Sequence, residues 1–356
     1  MKVLRVRGLI AFCALFLPNA VPAASGRLHY PLPAHIPVPD QPFDSVQMSS
    51  PAGAVRFYLS EEPQNVLGLL PLVVYVQGSG CNSLFERVNG QTRAMSGLPT
   101  VADVWRGHAR LLALDKPGVH QFDEGGSCEK NAAFNRNFSL ETWSRAIERA
   151  IVAARTLRGI DPRRVLVIGH SEGGVAAARV AHDLSSVVTD VAIMAGEGPS
   201  QLYSLIALAR SGSLFREISS DPEQRVAYVI DEWNGIRQHP SSTDRQFFGF
   251  SYLRWSSFLR TSVLDELAKT HASIHISQGT ADANVDPSAS DVLYAQLLSK
   301  GRSVTYDRIE NADHSFNIAG NDHEDGWLAA HKRIRDWFWN NNHGLSGRST
   351  TTPKLM

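Results

Sequence analysis

Short, unbroken apolar runs alternate along this chain with longer segments whose apolar positions recur every three to four residues. Residues 70–76, 109–114, 165–168 and 190–196 are runs of the first kind, dominated by Val, Ile, Leu and Ala. Such runs suit strands buried on both faces of a sheet. Residues 272–278 and 304–309 read as two more strands, and residues 55–60 as an early antiparallel strand covering one edge. The second kind of segment is clearest where Trp143, Ala146, Ile147, Ala150, Ile151, Ala154 and Leu157 follow the helical period. Ser139 is placed to cap that helix, and Gly159 with Pro162 closes it. Further helices are predicted around residues 175–180, over 287–298, and at the end of the chain on Trp327, Leu328, His331, Ile334, Trp337 and Phe338.

Strand and helix in alternation predict an α/β fold: a mostly parallel sheet with helices on both faces. The alternation stops between residues 199 and 270, which read as a helical insertion with Trp233, Phe247, Phe248, Phe250, Tyr252, Trp255 and Phe258 in its second half. The expected organisation is a core over 25–198, the insertion over 199–270, a second core part over 271–340 and a disordered polar tail over 341–356. Prolines 31, 33, 37, 39 and 42 predict an extended, largely irregular segment over 25–44. No internal repeat is present.

Composition changes this picture little. Of 356 residues, 43% are hydrophobic and 20% charged, with Lys plus Arg and Asp plus Glu both at 35. A net charge near zero gives no electrostatic reason for a nucleic-acid partner or an anionic membrane surface. At the N-terminus, Lys2, Arg5 and Arg7 precede an apolar run over 9–18, and Val21-Pro22-Ala23 offers small residues for cleavage. Residues 1–24 therefore read as a secretory signal peptide, which predicts a secreted or periplasmic protein. No later segment approaches the ~20 apolar residues of a spanning helix, so no stable membrane insertion is expected. Outside the signal two cysteines remain, Cys81 and Cys128, either paired in an oxidising compartment or buried as free thiols.

The chemistry centres on Gly169-His170-Ser171-Glu172-Gly173, directly after the strand at 165–168. Glycines on both sides of a serine suit a sharp strand-to-helix turn, where a side chain would strike neighbouring backbone. Ser171 would then stand at a helix N-terminus, either as a nucleophile or simply as a cap. A serine nucleophile needs a base, and the base a carboxylate. Asp282 and Asp286 follow the strand at 272–278, and His314 follows the strand at 304–309, so all lie at strand carboxyl ends on one rim with Ser171. Asp286 precedes Pro287 and is explained as a helix cap, which leaves Asp282 as the acid. Among thirteen histidines, His314 is favoured by position. His170 is expected to point away from the serine, and His271, His275 and His331 to be structural. Neither a metal nor an organic cofactor is expected.

The order Ser171, Asp282, His314, with the elbow and the strand-helix alternation, resembles the α/β-hydrolase family over about residues 70–338. The resemblance implies Ser171 as nucleophile, His314 as general base then acid, and Asp282 as the orienting carboxylate. It also implies two backbone donors for an oxyanion. One is the N–H of Glu172; the other lies in Gln77-Gly78-Ser79-Gly80, which replaces the family's frequent His-Gly pair, and is assigned to Ser79. In that topology the loops bearing Cys81 and Cys128 are neighbours, which predicts a disulfide that stiffens the oxyanion loop. The insertion resembles a hydrolase cap, its aromatics either walling the substrate pocket or forming the cap's own core. Glu197 and Glu232 are candidates to bind a cationic group. The function implied is cleavage of a carboxylic ester in a small molecule. A peptidase or amidase with the same triad acting on a short peptide is the alternative, and a non-catalytic binding protein a third reading.

Overall fold

The computed structural model describes residues 33–342, except 51–52, 65, 67, 124–125 and 322–324. The expected signal peptide and residues 343–356 of the expected tail lie outside the described residues. In chain order the elements are β1 (Ala34–Pro37), β2 (Phe43–Ser50), β3 (Gly53–Ser60), β4 (Leu70–Val76), β5 (Phe85–Val88), β6 (Gln91–Ala94), α1 (Leu98–Trp105) and β7 (Arg110–Ala113). They continue with α2 (Ala132–Asn137), α3 (Leu140–Ala154), β8 (Ile160–His170), α4 (Glu172–Asp183) and β9 (Asp190–Met194). The interrupting segment holds α5 (Gln201–Ser211), α6 (Pro222–Gln238), β10 (Gln246–Phe247), β11 (Phe250–Ser251), α7 (Tyr252–Leu259) and α8 (Val263–Lys269). The chain closes with β12 (Ser273–Gly279), α9 (Pro287–Ser299), β13 (Val304–Ile309) and α10 (Gly326–Asn342).

Nine strands form one sheet in the order β1-β2-β3-β7-β4-β8-β9-β12-β13. From β7 to β13 all neighbours are parallel, while β1, β2 and β3 pair antiparallel and β3 runs antiparallel to β7. The mostly parallel α/β sheet expected from the hydrophobic pattern is thus the observed one. The central strands explain why their sequences are unbroken apolar runs. In β4, Leu72, Val74 and Val76 enter one core, shared with α3, α4, α8 and α9. Val73 and Tyr75 enter a second core on the opposite face, shared with α1 and α10. Side chains alternate faces, and both faces are covered.

At the N-terminal edge the expectation fails in one detail: residues 34–37 are not irregular but form β1, paired with β2 and exposed at all four positions. An edge strand tolerates Pro37 because its outer side needs no backbone donor. The β5–β6 hairpin and α1 carry no long apolar run, and the hydrophobic pattern does not announce them. α3 begins as its sequence predicts: Ser139 and Thr142 form a reciprocal capping box.

Within the interrupting segment, Leu205, Ala209, Val226, Val229, Phe247 and Trp255 form a third hydrophobic cluster of their own. Phe258, Val263 and Leu267, by contrast, join the core of the sheet. Among the described residues no helix is long and apolar enough to cross a membrane.

Candidate active site

β8 ends at His170 and α4 begins at Glu172, so the whole strand-to-helix turn falls on Ser171. Its φ of 54° and ψ of −125° lie in a region that non-glycine residues avoid. Bonds on both sides hold it there: Ser171 N–H donates to the Met194 carbonyl at 2.9 Å, and Gly174 N–H to the Ser171 carbonyl at 2.8 Å. The flanking glycines are required sterically. A Cβ at Gly169 would stand 2.2 Å from the Gly173 carbonyl oxygen, and one at Gly173 would stand 2.3 Å from that of Val76.

The loop after β12 carries Asp282 and the loop after β13 carries His314, and the two meet with His314 Nδ1 2.8 Å from Asp282 Oδ2. Asp282 is buried and fully engaged. Its Oδ1 accepts the backbone N–H groups of Asn284 at 2.8 Å and Val285 at 3.0 Å, and its Oδ2 also accepts Gln278 Nε2 at 2.9 Å. Burial works against its charge, but these bonds and the nearness of His314 prevail and hold the carboxyl below its ordinary range. Asp286 behaves as the cap its sequence implied, accepting the Ser288 N–H at 2.9 Å at the start of α9.

Ser171 and His314 face one cavity of about 450 Å³, whose lining also includes Tyr75, Ser79, Ser96, Gly97 and Trp327. Among the described residues no Asp, Glu, Lys or Arg lines it, and no residue of 199–270 does. Of the two readings of the insertion's aromatics, the core one holds for Phe247, Trp255 and Phe258, which are buried, while Phe248 is exposed. Phe247 and Trp255 pack in the insertion's own cluster, and Phe258 in the sheet core. The wall comes from elsewhere: Tyr75 hydroxyl donates to the Ser96 carbonyl at 2.6 Å, and Trp327 Nε1 to the Gly97 carbonyl at 3.3 Å. Glu197 and Glu232 also miss the cavity lining. Glu197 is buried and accepts the Ser204 hydroxyl, and burial pushes its carboxyl up to about 8. Glu232 accepts the Tyr252 hydroxyl at 3.4 Å.

His170, expected to point away from the serine, also lines the cavity. Its ring lies 4.8 Å from that of His314, and its Nε2 stands 3.2 Å from the His314 carbonyl oxygen. It therefore supports the loop that carries His314. Burial first, then the neighbouring His314, lowers it from 6.5 to about 3. Behind it, His331 is fully buried with neither ring nitrogen hydrogen-bonded, between Tyr75 and Trp327, and burial likewise lowers it to about 3. Between pH 6.5 and 3 the unfolded chain binds a proton at this ring and the folded chain does not. The contribution of His331 to stability is therefore whole above pH 6.5 and declines as pH falls, by up to about 1.4 kcal/mol per pH unit. Urea unfolding at pH 7, 6 and 5 is expected to show a shallower decline in a His331→Leu variant than in the unaltered chain.

Two residues with no distinguishing sequence signal, Lys116 and Arg254, meet Glu172 of the elbow. Glu172, the residue after the serine, is buried and pairs with Arg254 of α7 and, at 3.1 Å, with Lys116 from the loop after β7. Lys116 reads in sequence as part of an ordinary Asp-Lys-Pro-Gly turn. Opposite charges keep Glu172 ionised below its ordinary range although burial opposes it. Beyond Gly80, Cys81 is bonded to Cys128, with Cα atoms 5.5 Å apart. The pairing expected from topology is present.

A family model described as "Alpha/beta hydrolase family" matches residues 88–330, and the chain belongs to that family. No curated protein sequence matches the chain. Among solved structures, Est1E from Butyrivibrio proteoclasticus is similar at 14% identity and a TM-score of 0.52, covering 84% of this chain and 99% of its own. A putative dipeptidyl aminopeptidase IV from Bacteroides ovatus has a TM-score of 0.55 at 12% identity, covering 84% of this chain and 35% of that one. Dipeptidyl peptidase 4 of Porphyromonas gingivalis is similar at 13% identity and 0.52, again covering 84% and 35%. The chain spans about a third of the length of those two peptidases. At such identities the likeness is one of fold.

Proposed function

We propose that the protein is a serine hydrolase that cleaves a small, uncharged carboxylic ester through an acyl-enzyme. The observation that carries this reading is the Asp282–His314 hydrogen bond, placed where His314 shares a cavity with the strained Ser171. In the first step Ser171 Oγ attacks the ester carbonyl carbon while His314 Nε2 takes its proton. Asp282 keeps the other ring proton on Nδ1 and stabilises the imidazolium that forms. The carbonyl oxygen becomes an oxyanion received by the backbone N–H groups of Glu172 and Ser79. Collapse expels the alcohol, which leaves with the proton from His314. Water then repeats the sequence on the acyl-serine, releasing the acid and restoring Ser171. The insertion over 199–270 acts as a cap, and none of its residues lines the cavity.

The cavity wall, uncharged among the described residues, favours an ester over a short peptide, because a free terminal amine or carboxylate would meet no opposite charge from them. Est1E, similar in fold, is seen with ferulic acid bound. The basic and apolar start of the sequence and the Cys81–Cys128 disulfide support action in a secreted or periplasmic setting.

A fluorophosphonate probe is expected to label the full chain, and labelling is expected to vanish in Ser171→Ala and in His314→Ala variants that remain folded. p-Nitrophenyl esters should turn over and aminoacyl anilides should not. A folded, unlabelled chain would refute the enzyme reading, and preference for the anilides would refute the ester.

A further inference from the structure

We propose that Lys116 is the positioning residue of the oxyanion site, a role that rests on the serine-hydrolase reading above. Its side chain is only 1% exposed, and each proton of its ammonium has an acceptor. Nζ donates to the Gly78 carbonyl at 2.6 Å, to the Gly80 carbonyl at 3.0 Å and to Glu172 Oε1 at 3.1 Å. The faces of Trp143, at 4.7 Å, and Phe138, at 5.0 Å, close its remaining sides. No water is needed to satisfy this charge, and no slack remains in it.

The consequence lies in peptide geometry. No peptide bond among the described residues is cis. In a trans peptide the C=O and N–H point in opposite directions. By drawing the Gly78 carbonyl inward, Lys116 turns the N–H of the same peptide unit, that of Ser79, outward. That N–H has no acceptor among the described residues, and Ser79 lines the cavity with Ser171. Glycine at 78 eases this close approach: a Cβ there would stand 3.2 Å from Ser171 Cβ and from His170 Nδ1. The other end of the grip is Glu172, whose own N–H lies in the first turn of α4, where the helix supplies no acceptor. Lys116 therefore holds both donors to one bracket, the loop through two carbonyls and the elbow through a carboxylate. Arg254 takes the second carboxylate oxygen of Glu172 and touches neither loop carbonyl.

Two variants of the full chain separate this role from simple charge pairing. Lys116→Met leaves the Arg254–Glu172 pair intact and neutral, and Lys116→Arg keeps the cation but replaces a point donor with a planar fork that cannot serve the same three acceptors. On a p-nitrophenyl ester, Lys116→Met is expected to lower kcat about 100-fold with KM changed less than about threefold, as when an oxyanion donor is lost. Lys116→Arg should lower kcat at least about tenfold, since the carbonyl positions are lost. Affinity for a trifluoromethyl ketone, which forms the oxyanion on Ser171, should fall in parallel with kcat/KM. Arg254→Met, which leaves both loop bonds in place, should cost comparable thermal stability but much less kcat. The proposal is overturned if Lys116→Arg keeps kcat within threefold, or if Lys116→Met and Arg254→Met lower kcat equally. Should Lys116→Met fail to fold, the Lys116→Arg result decides alone. Fluorophosphonate labelling of Ser171 in the unaltered chain keeps the two readings apart: with labelling present and kcat unmoved in Lys116→Arg, only the positioning role falls.

Discussion

Asp282→Asn is expected to lower kcat by about 10⁴-fold, the scale on which loss of the orienting carboxylate acts in serine hydrolysis. Asp286→Asn is expected to leave kcat within about twofold, because Asn caps a helix about as well as Asp. The difference follows from what each oxygen of Asp282 does. Oδ1 accepts two backbone N–H groups, from Asn284 and Val285, so in Asp282→Asn the new amide oxygen would occupy that place. The amide NH₂ would then replace Oδ2, facing His314 Nδ1 and Gln278 Nε2. A donor in that position makes Nδ1 the acceptor and sends the ring proton to Nε2, the nitrogen that must be free to deprotonate Ser171. The backbone would scarcely move, yet the base would be held in the wrong tautomer. Steady-state kinetics of both variants on one p-nitrophenyl ester is the check, and a larger loss at Asp286 would sink the assignment of the acid.

Removing the Cys81–Cys128 bond is expected to have the largest effect on stability. The cysteines are 47 residues apart, and closing a loop of that length stabilises by about 4 kcal/mol in the chain-entropy account. For a chain of this size that corresponds to a Tm lower by roughly 5–10 °C. Calorimetry of a Cys81→Ala/Cys128→Ala double variant beside the oxidised chain should show it. The fall in kcat should be smaller than in Lys116→Met, because Lys116 still grips Gly78 and Gly80 from below. An unchanged Tm, with two free thiols titrated in the exported protein, would contradict both the bond and its effect.

The parts of this molecule that the sequence announces are those where one residue type answers one local constraint. The central strands are legible because both faces of the sheet are covered, which forces Leu72 through Val76 to be apolar without alternation. Gly169 and Gly173 are legible because backbone atoms occupy the space a side chain would need. Asp282 can be told from Asp286 because Pro287 already accounts for the latter. What stays hidden depends on partners far apart in the chain. Nothing near Lys116 or Arg254 announces that they meet at Glu172, 56 and 82 residues away from it respectively. The aromatics of the insertion show no period that would tell a pocket wall from a core, and Phe247, Trp255 and Phe258 prove to be core. His170 escapes sequence reasoning for a similar reason, since its neighbour His314 arrives from a loop 144 residues later.

Ser96 and Gly97 both adopt positive φ, at 55° and 71°, and each is fastened by its carbonyl, one to Tyr75 and the other to Trp327. The cost of ordering this stretch is therefore met while the chain folds rather than when a ligand arrives. An incoming molecule meets a stretch of wall that is already ordered. Selection among ligands then falls in part to fit against this already fastened stretch of wall.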